Sequence, residues 1–131
     1  MQTLIDRGYE VLLETGGHVT LDDVPDEVRA IVDVKCPGSG EAHRMHWPNL
    51  DVLSPIDEVK FVIADRNDFD YARDVVRRYA LADRVRAVLF SPAHDVLPPA
   101  ELSKWILADR LPVRLQLQMH KYIWGADAKG V

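Results

Sequence analysis

The chain has 131 residues with a formal net charge of −5, and 47% of its residues are apolar and 28% are charged. This composition is typical of a globular domain with one core, and it excludes a basic nucleic-acid-binding stripe and an apolar run that spans a bilayer. The N-terminus lacks the basic, apolar and small-residue order of a signal peptide. We therefore predict one cytoplasmic domain over residues 1–131, with no direct contact to nucleic acid and none to a membrane.

Strand and helix patterns alternate along the chain. Apolar, β-prone runs predict five strands, at Tyr9–Leu13, Ile31–Lys35, Val59–Ile63, Val85–Phe90 and Val113–Met119. Helical segments are predicted at Gln2–Arg7, Asp26–Ala30, Asn49–Leu53 and Asp68–Tyr79, and in a stretch that Pro98 and Pro99 open and that runs to about Ala108. Gly8 is a candidate C-cap of the first helix, and Thr20 is a candidate N-cap ahead of the second.

Strands that alternate with helices predict an α/β fold with a parallel sheet and right-handed crossovers. Such a sheet is either open and doubly wound or part of a β/α barrel. The fifth strand favours the barrel, because one of its faces is polar, whereas helices cover both faces of a doubly wound sheet. That polar face carries Arg114, Gln116, Gln118 and His120. Five strands are too few for a complete barrel, so we predict a partial, incomplete β/α barrel.

Polar side chains gather at the end of each predicted strand, where ligands of β/α proteins bind. The stretch Ile31–Glu41 shows the pattern, since an apolar run ends with Asp33 and Lys35 and leads into a glycine-rich loop. The mixture of donors and acceptors suits a polar small molecule with amine, hydroxyl and carboxylate groups. The five strand ends supply Glu14–Gly17, Asp33–Lys35, Asp65–Arg66, Ser91–His94 and Gln118–Lys121.

The same residues have ordinary structural interpretations. Glu14 is equally suited to cap the turn that follows it, and Lys35 at a strand end is more often solvated than catalytic. Gly16 and Gly17 are typical turn residues, and without a following Gly-Lys-Ser/Thr segment they are weak evidence for phosphate binding.

The single cysteine, Cys36, limits the metal chemistry that this sequence can support. It excludes a disulfide within the chain and a metal or cluster site made of cysteines alone. His43 and His46 are compatible with a metal site that has Cys36 as third ligand, but their spacing matches no established zinc signature. We therefore predict no metal ligands in this chain.

Several motifs resemble those of radical S-adenosylmethionine (SAM) enzymes. Glu14-Thr15-Gly16-Gly17-His18 is similar to the Glu-Thr-(Ser/Asn/Gly)-Gly strand end of that superfamily. Within the superfamily, the chain resembles the 7-carboxy-7-deazaguanine synthase family over essentially its whole length. The matching segments, in order, are Val32–Glu41, Asp57–Ile63, Leu89–Pro92 and Arg114–Gly125, of which the last is the most specific.

This resemblance implies a fold, a reaction and a set of cofactors. The family has an incomplete β/α barrel, binds SAM, a 4Fe-4S cluster and magnesium, and is homodimeric. It converts 6-carboxy-5,6,7,8-tetrahydropterin into 7-carboxy-7-deazaguanine, a precursor of queuosine in tRNA, by a radical ring contraction that releases ammonia. The resemblance thus implies a carbon–nitrogen lyase whose difficult chemistry belongs to the cofactors, which the barrel positions.

By motif position, the resemblance assigns residues to two ligands. SAM contacts are expected at three strand ends, and contacts to the pterin substrate are expected after the fifth strand. The expected SAM-binding residues are Glu14, Thr15, Asp33, Val34, Lys35, Ser91, Pro92, Ala93 and His94. The expected substrate-binding residues are Gln118, His120 and Lys121.

The sequence departs from the family pattern at the cluster. The family holds its cluster with Cys-x3-Cys-x2-Cys near the N-terminus, followed by Gly-Gly-Glu-Pro, and this sequence contains neither. We therefore expect the chain to match the C-terminal portion of such an enzyme and to be unable by itself to cleave SAM reductively. One alternative is a non-catalytic half-barrel that binds SAM, a pterin or a deazapurine. Another is a structural role in which an unpaired sheet edge promotes self-association.

Overall fold

The computed structural model describes residues 2–8, 10–17 and 20–117 of the chain. Its strands are β1 (Leu12–Thr15), β2 (Arg29–Val34), β3 (Glu58–Ile63), β4 (Ala87–Pro92) and β5 (Arg114–Leu115). Its α-helices are α1 (Gln2–Asp6), α2 (Pro48–Asp51), α3 (Arg66–Arg78), α4 (Leu81–Arg84) and α5 (Pro99–Ala108). Short 3-10 turns at Pro37–Ser39 and Ala42–Arg44 follow β2. Within these ranges no helix combines the length and the apolar character that crossing a membrane requires.

The strands form one sheet in which all neighbours are parallel and the strand order follows the sequence, β1-β2-β3-β4-β5. A doubly wound sheet reverses its strand order at a switch point, and this sheet does not. Sequential parallel strands are the arrangement found in β/α barrels. The predicted α/β class and parallel sheet are confirmed, and the strand order is consistent with a partial barrel.

The two faces of the sheet differ in burial, because successive side chains of a strand point to opposite sides. On the face that we call the helix face, apolar side chains pack with those of α3 and α5 in one core. Phe90 lies at its centre, with its ring centroid 5.4 Å from that of Phe61 and 5.8 Å from that of Phe69. The opposite face, which we call the open face, is only half-buried on β2 and β3. Its residues on these strands are Arg29, Ile31, Asp33, Glu58, Lys60 and Val62.

Helix α3 forms where local signals predict it. The Asp65 carboxylate accepts a hydrogen bond from the Asp68 backbone amide at 2.8 Å and caps the amino end, so the helix starts slightly before the predicted Asp68. Apolar residues three and four apart bury one side of the helix against the sheet, as predicted. These buried residues are Phe69, Ala72, Val75 and Val76.

The first strand lies later in the sequence than predicted. It covers Leu12–Thr15 rather than Tyr9–Leu13, so Glu14 and Thr15 belong to the strand and do not follow it. The cause is pairing, because only this segment lies in register with the first four residues of β2. A β-prone run therefore marked the strand but did not fix its ends.

The helix predicted at Asp26–Ala30 is absent, and this prediction is wrong. The Val28 amide donates to the Pro25 carbonyl at 3.0 Å and closes a tight turn, after which β2 begins at Arg29. Five residues without an apolar face to bury are too short for a stable helix. Thr20 is not a helix cap either, because the next regular element after it is β2; its hydroxyl accepts from the Asp22 backbone amide at 3.2 Å within a turn.

The last two strands also differ from their predicted bounds. β4 starts and ends two residues later than predicted, so Ser91 and Pro92 lie inside it. β5 is assigned only to Arg114–Leu115, although the Gln116 amide still donates to the Phe90 carbonyl at 3.0 Å. The end of the predicted fifth strand, residues 118–119, lies outside the described residues.

Candidate functional site

The end of β2 carries an ion pair with one unused oxygen. Lys35 Nζ donates to Asp33 Oδ2 at 2.8 Å, and the side chains are 39% and 27% exposed. The other carboxylate oxygen, Asp33 Oδ1, is buried and has no hydrogen-bond partner among the described residues. Buried carboxylate oxygens in folded proteins normally accept a hydrogen bond. Asp33 therefore presents an acceptor that the described part of the protein does not itself use.

The turn after β1 is fixed by backbone contacts. The Gly17 amide donates to Thr15 Oγ1 at 3.2 Å. The Gly17 carbonyl accepts from the His46 amide at 2.9 Å and from Asn49 Nδ2 at 3.2 Å. Gly17 has a φ of +76°, and a Cβ on it would lie 2.8 Å from Met45 Sδ, so both conformation and space require glycine here.

One buried carboxylate joins the loops that follow β2 and β3. Asp68 Oδ1 accepts from the Gly38 amide at 2.8 Å, and Asp68 Oδ2 accepts from the Ala64 amide at 3.0 Å. The Asp68 side chain is buried, and a Cβ added to Gly38 would lie only 2.7 Å from one of its oxygens. Asp68 thus holds the glycine-rich loop close to the carboxyl ends of the strands.

The end of β4 contributes a second polar atom without a partner. Ser91 is fully buried, and its Oγ has no hydrogen-bond partner among the described residues. It pairs with Val62 of β3, so its side chain belongs to the open face. Pro92 and Val34 belong to the helix face, and their buried side chains leave only their backbone atoms for a ligand.

The residues after β4 complete this edge of the sheet. The Ala93 amide donates to the Ile63 carbonyl at 2.8 Å, which extends the pairing of β4 with β3. His94 Nε2 lies 3.3 Å from Asp95 Oδ2, and the imidazole is 13% exposed.

Two cavities lie at this edge and share Asp33 and Lys35. The one that we call the strand cavity has a volume of about 260 Å³ and is lined by Glu14, Thr15, Gly16, Ile31, Asp33, Lys35 and Lys60. The one that we call the loop cavity has a volume of about 520 Å³, and its lining includes Asp33, Lys35, Gly38, Ser39, Ala93 and His94. The volume of the loop cavity is in the range of sites for small molecules, about 300–1,000 Å³, and that of the strand cavity lies just below this range. A further cavity, at the amino ends of β2 and β3, is lined by none of the predicted site residues.

The structure brings most of the predicted SAM-binding residues together, while their binding of SAM stays a prediction. Those that line one or both cavities are Glu14, Thr15, Asp33, Val34, Lys35, Ala93 and His94. Ser91 and Pro92 are buried in β4 and line neither of the two cavities. The predicted substrate-binding residues Gln118, His120 and Lys121 lie outside the described residues.

Sequence reasoning missed two residues of this region. Lys60 lines the strand cavity from the middle of β3, and Asp68 supports the loop cavity from the first turn of α3. Lys60 gave a signal, because it is a charged residue inside an otherwise apolar run. Asp68 gave none, because an acid in the first turn of a helix is common for local reasons.

Cys36 is a poor cluster ligand. Its side chain is buried, and burial raises the pKa of the Cys36 thiol well above its ordinary value. The carboxylates of Asp68, Asp33 and Asp65 raise it further. Because the thiolate is the form that binds metal, a protonated, buried thiol does not suit an iron–sulfur cluster.

The other described residues do not assemble a metal site. In residues 2–8, 10–17 and 20–117, no group of three or more His, Cys, Asp or Glu side chains could hold a metal ion. The weak alternative of a site made by Cys36, His43 and His46 is therefore not supported. Because Cys36 is the single cysteine of the sequence, a 4Fe-4S cluster, which takes several thiolate ligands, does not fit this part of the chain. SAM fits better, because its amine, carboxylate and hydroxyl groups match the unused atoms of Asp33 and Ser91.

Comparison with known proteins decides the relationship. No protein-family model matches the chain. Six curated proteins match it, and all are named 7-carboxy-7-deazaguanine synthase. The one from Koribacter versatilis is 46% identical over 143 aligned residues, and the one from Chlorobaculum tepidum is 40% identical; both alignments cover the whole chain. This chain is related to the 7-carboxy-7-deazaguanine synthases.

The relationship inferred from the motifs is thus confirmed. The chain spans 63% of the length of the Koribacter versatilis synthase and 60% of the Chlorobaculum tepidum synthase. A synthase from Leptospira interrogans is 40% identical over 91% of the chain, which spans 50% of that protein. The matched region includes the whole described sheet and both cavities.

Proposed function

We propose that this chain forms part of a 7-carboxy-7-deazaguanine synthase and supplies the SAM-binding edge of a radical SAM barrel. The proposed reaction is the conversion of 6-carboxy-5,6,7,8-tetrahydropterin into 7-carboxy-7-deazaguanine with release of ammonia. The kinship with proteins of this name supports the reaction. The strand order, which is that of β/α barrels, supports the architecture.

One observation carries the binding proposal. Asp33 Oδ1 and Ser91 Oγ are buried polar atoms without partners among the described residues, and both side chains belong to the open face. A buried polar atom without a hydrogen bond costs about 1–3 kcal/mol, so a ligand that satisfies both gains affinity. Two such atoms near the carboxyl ends of β2 and β4, which both pair with β3, are better explained by a ligand than by packing.

Each residue has a role that its chemistry allows. Asp33 accepts a hydrogen bond from an amine or hydroxyl of SAM, and Lys35 holds the Asp33 carboxylate through its other oxygen. Ser91 donates to or accepts from a polar group of the same ligand. Asp68 keeps the loop at Gly38 in place, so that backbone amides can approach the ligand closely.

The chemistry that SAM supplies when bound in this superfamily is radical chemistry. In this proposal the described residues of the chain bind and orient SAM at the edge of the sheet. They do not fit the iron–sulfur cluster, so the proposed role of the chain ends at binding. Pterin binding by Gln118, His120 and Lys121, and a homodimeric assembly, remain part of this proposal.

Calorimetric titration of the chain with SAM tests the binding proposal. We expect saturable binding of one SAM per chain. Asp33→Asn should weaken it roughly 10-fold or more, because it removes a charged acceptor. Ser91→Ala should weaken it roughly 2-fold to 10-fold, because it removes a neutral hydrogen bond.

Matched controls separate binding from folding. Asp74→Asn removes an acid that is 70% exposed on α3, and Ser103→Ala removes a hydroxyl on α5, so both should leave SAM affinity unchanged. Circular dichroism should show that all four variants fold. If the unsubstituted chain binds no SAM, or binds it with an affinity that Asp33→Asn and Ser91→Ala leave intact, the binding proposal is wrong.

A further inference from the structure

Lys60 occupies an unusual place in the sheet. It lies in the middle of β3 between Val59 and Phe61, both of which are fully buried on the helix face. Its own side chain is on the half-buried open face and lines the strand cavity, as do those of Glu14 and Asp33. A lysine here places a positive charge inside a concave site.

The charge of Lys60 is not used by the described part of the protein. Lys60 lies in register with Asp33 on the neighbouring strand, where an ion pair across the strands would be expected. Asp33 pairs with Lys35 instead. In residues 2–8, 10–17 and 20–117, no acid lies within ion-pair distance of the Lys60 ammonium, and no acceptor forms a hydrogen bond with it. Its position therefore has no structural explanation in the contacts of the fold.

We propose that Lys60 binds the carboxylate of the small molecule held in the strand cavity. An ammonium group is a donor without acceptor capacity, so its natural partner is an anionic oxygen. The unused Asp33 oxygen in the same cavity is an acceptor, so the pair suits a ligand with a carboxylate near an amine or hydroxyl. The inference rests on the proposed function, which offers two sources of this group: the amino-acid end of SAM and the carboxyl group of the pterin.

The experiment compares each ligand with an analogue that lacks the carboxylate. Affinities are measured for 6-carboxypterin against pterin, by pterin fluorescence, and for SAM against decarboxylated SAM, by calorimetry. The unsubstituted chain should prefer the carboxylate-bearing member of one pair roughly 10-fold or more, the effect of one charge-assisted hydrogen bond. The pair that shows the preference identifies the source of the carboxylate.

Three variants then assign the preference to Lys60. Lys60→Gln should abolish it by weakening only the carboxylate-bearing ligand, and Lys60→Arg should retain most of it. Arg114→Gln is the matched control, because Arg114 is an exposed cation in the same register row of the open face but does not line the strand cavity. It should leave the preference unchanged.

Each remaining outcome overturns the assignment. The inference is wrong if neither pair shows a preference, and a pair that does not bind at all counts as showing none. It is also wrong if Lys60→Gln keeps the preference. It is also wrong if Arg114→Gln removes the preference as fully as Lys60→Gln does, since general electrostatic attraction then explains it. SAM binding that depends on Asp33 and Ser91 would uphold the proposed function in any of these cases, so the two failures are distinguishable.

Discussion

The helix face and the open face of this sheet are built by the same strands, yet they have opposite properties. On β3, Val59, Phe61 and Ile63 are fully buried in the core, whereas the alternate residues are partly exposed and include Lys60. The period of two in a strand thus assigns alternate residues to the core and to the open face, where we propose that ligands bind. A single substitution should therefore affect one property and leave the other nearly unchanged.

The two ends of the sheet also differ in how the carboxylates of their aspartates are hydrogen-bonded. At the amino end, buried Asp57 accepts from the Ala30 amide with one oxygen and from the Ser54 amide with the other, each at 2.8 Å. At the carboxyl end, Asp33 has one oxygen paired with Lys35 and one without a described partner. Asp57 is fully explained by the fold, and Asp33 is not. This contrast supports the proposal that the carboxyl end is the binding edge.

The largest effect is expected from breaking the helix face. Phe61→Ala should lower the free energy of unfolding by about 3–5 kcal/mol, because it removes a fully buried ring and leaves a cavity beside Phe90. Its neighbour Lys60→Ala should change it by less than about 0.5 kcal/mol. Urea unfolding followed by circular dichroism measures both. Similar losses at the two positions would contradict the division of the sheet into two faces.

A smaller effect is expected where the fold supports the binding edge. Asp68→Ala should cost about 2–4 kcal/mol of unfolding free energy, because the Gly38 and Ala64 amides both lose a buried acceptor. Asp68→Asn keeps one acceptor oxygen and should recover part of this loss. Asp74→Ala, at an exposed site of the same helix, serves as the control in urea unfolding. A loss at Asp68 no larger than at Asp74 would show that the carboxylate does not hold these loops.

The smallest effect concerns pH. Because burial raises the folded-state pKa of the Cys36 thiol above its unfolded value near 9, the thiol stays protonated in the folded chain while it ionises in the unfolded one. Its contribution to stability is complete below pH 9 and is lost as the pH rises above it. Between pH 9 and pH 10, the chain should lose about 1 kcal/mol more unfolding free energy than Cys36→Ala does. Equal pH dependence of the two proteins would mean that Cys36 is accessible to solvent.

Much of the fold could be predicted from the sequence, because its signals are local. The alternation of strands and helices and the buried side of α3 follow from periodicity, and Pro99 marks the start of α5. The exact ends of β1 and β4 could not be predicted, because pairing with β2 and β3 sets them. The helix expected at Asp26–Ala30 failed for the same reason, since Arg29 and Ala30 are taken into β2.

The candidate site was predictable where its residues lie at or just after the carboxyl end of a predicted strand. Asp33, Lys35 and His94 were identified in this way, and the structure places them around the two cavities. Lys60 was missed because it lies in mid-strand, where its role depends on which face the neighbouring strands leave open. Asp68 was missed because its partner Gly38 is 30 residues away in sequence. Such contacts exist only once the sheet has formed.

The most direct test of the account is amide chemical-shift mapping by NMR during titration of the chain with SAM. The account predicts that the shifted amides cluster at the carboxyl edge, at Gly16, Lys35, Gly38 and Ala93. Shifts confined to the cavity at the amino edge, at Leu21, Val28 and Ser54, would place the ligand at the opposite end of the sheet and contradict the central claim.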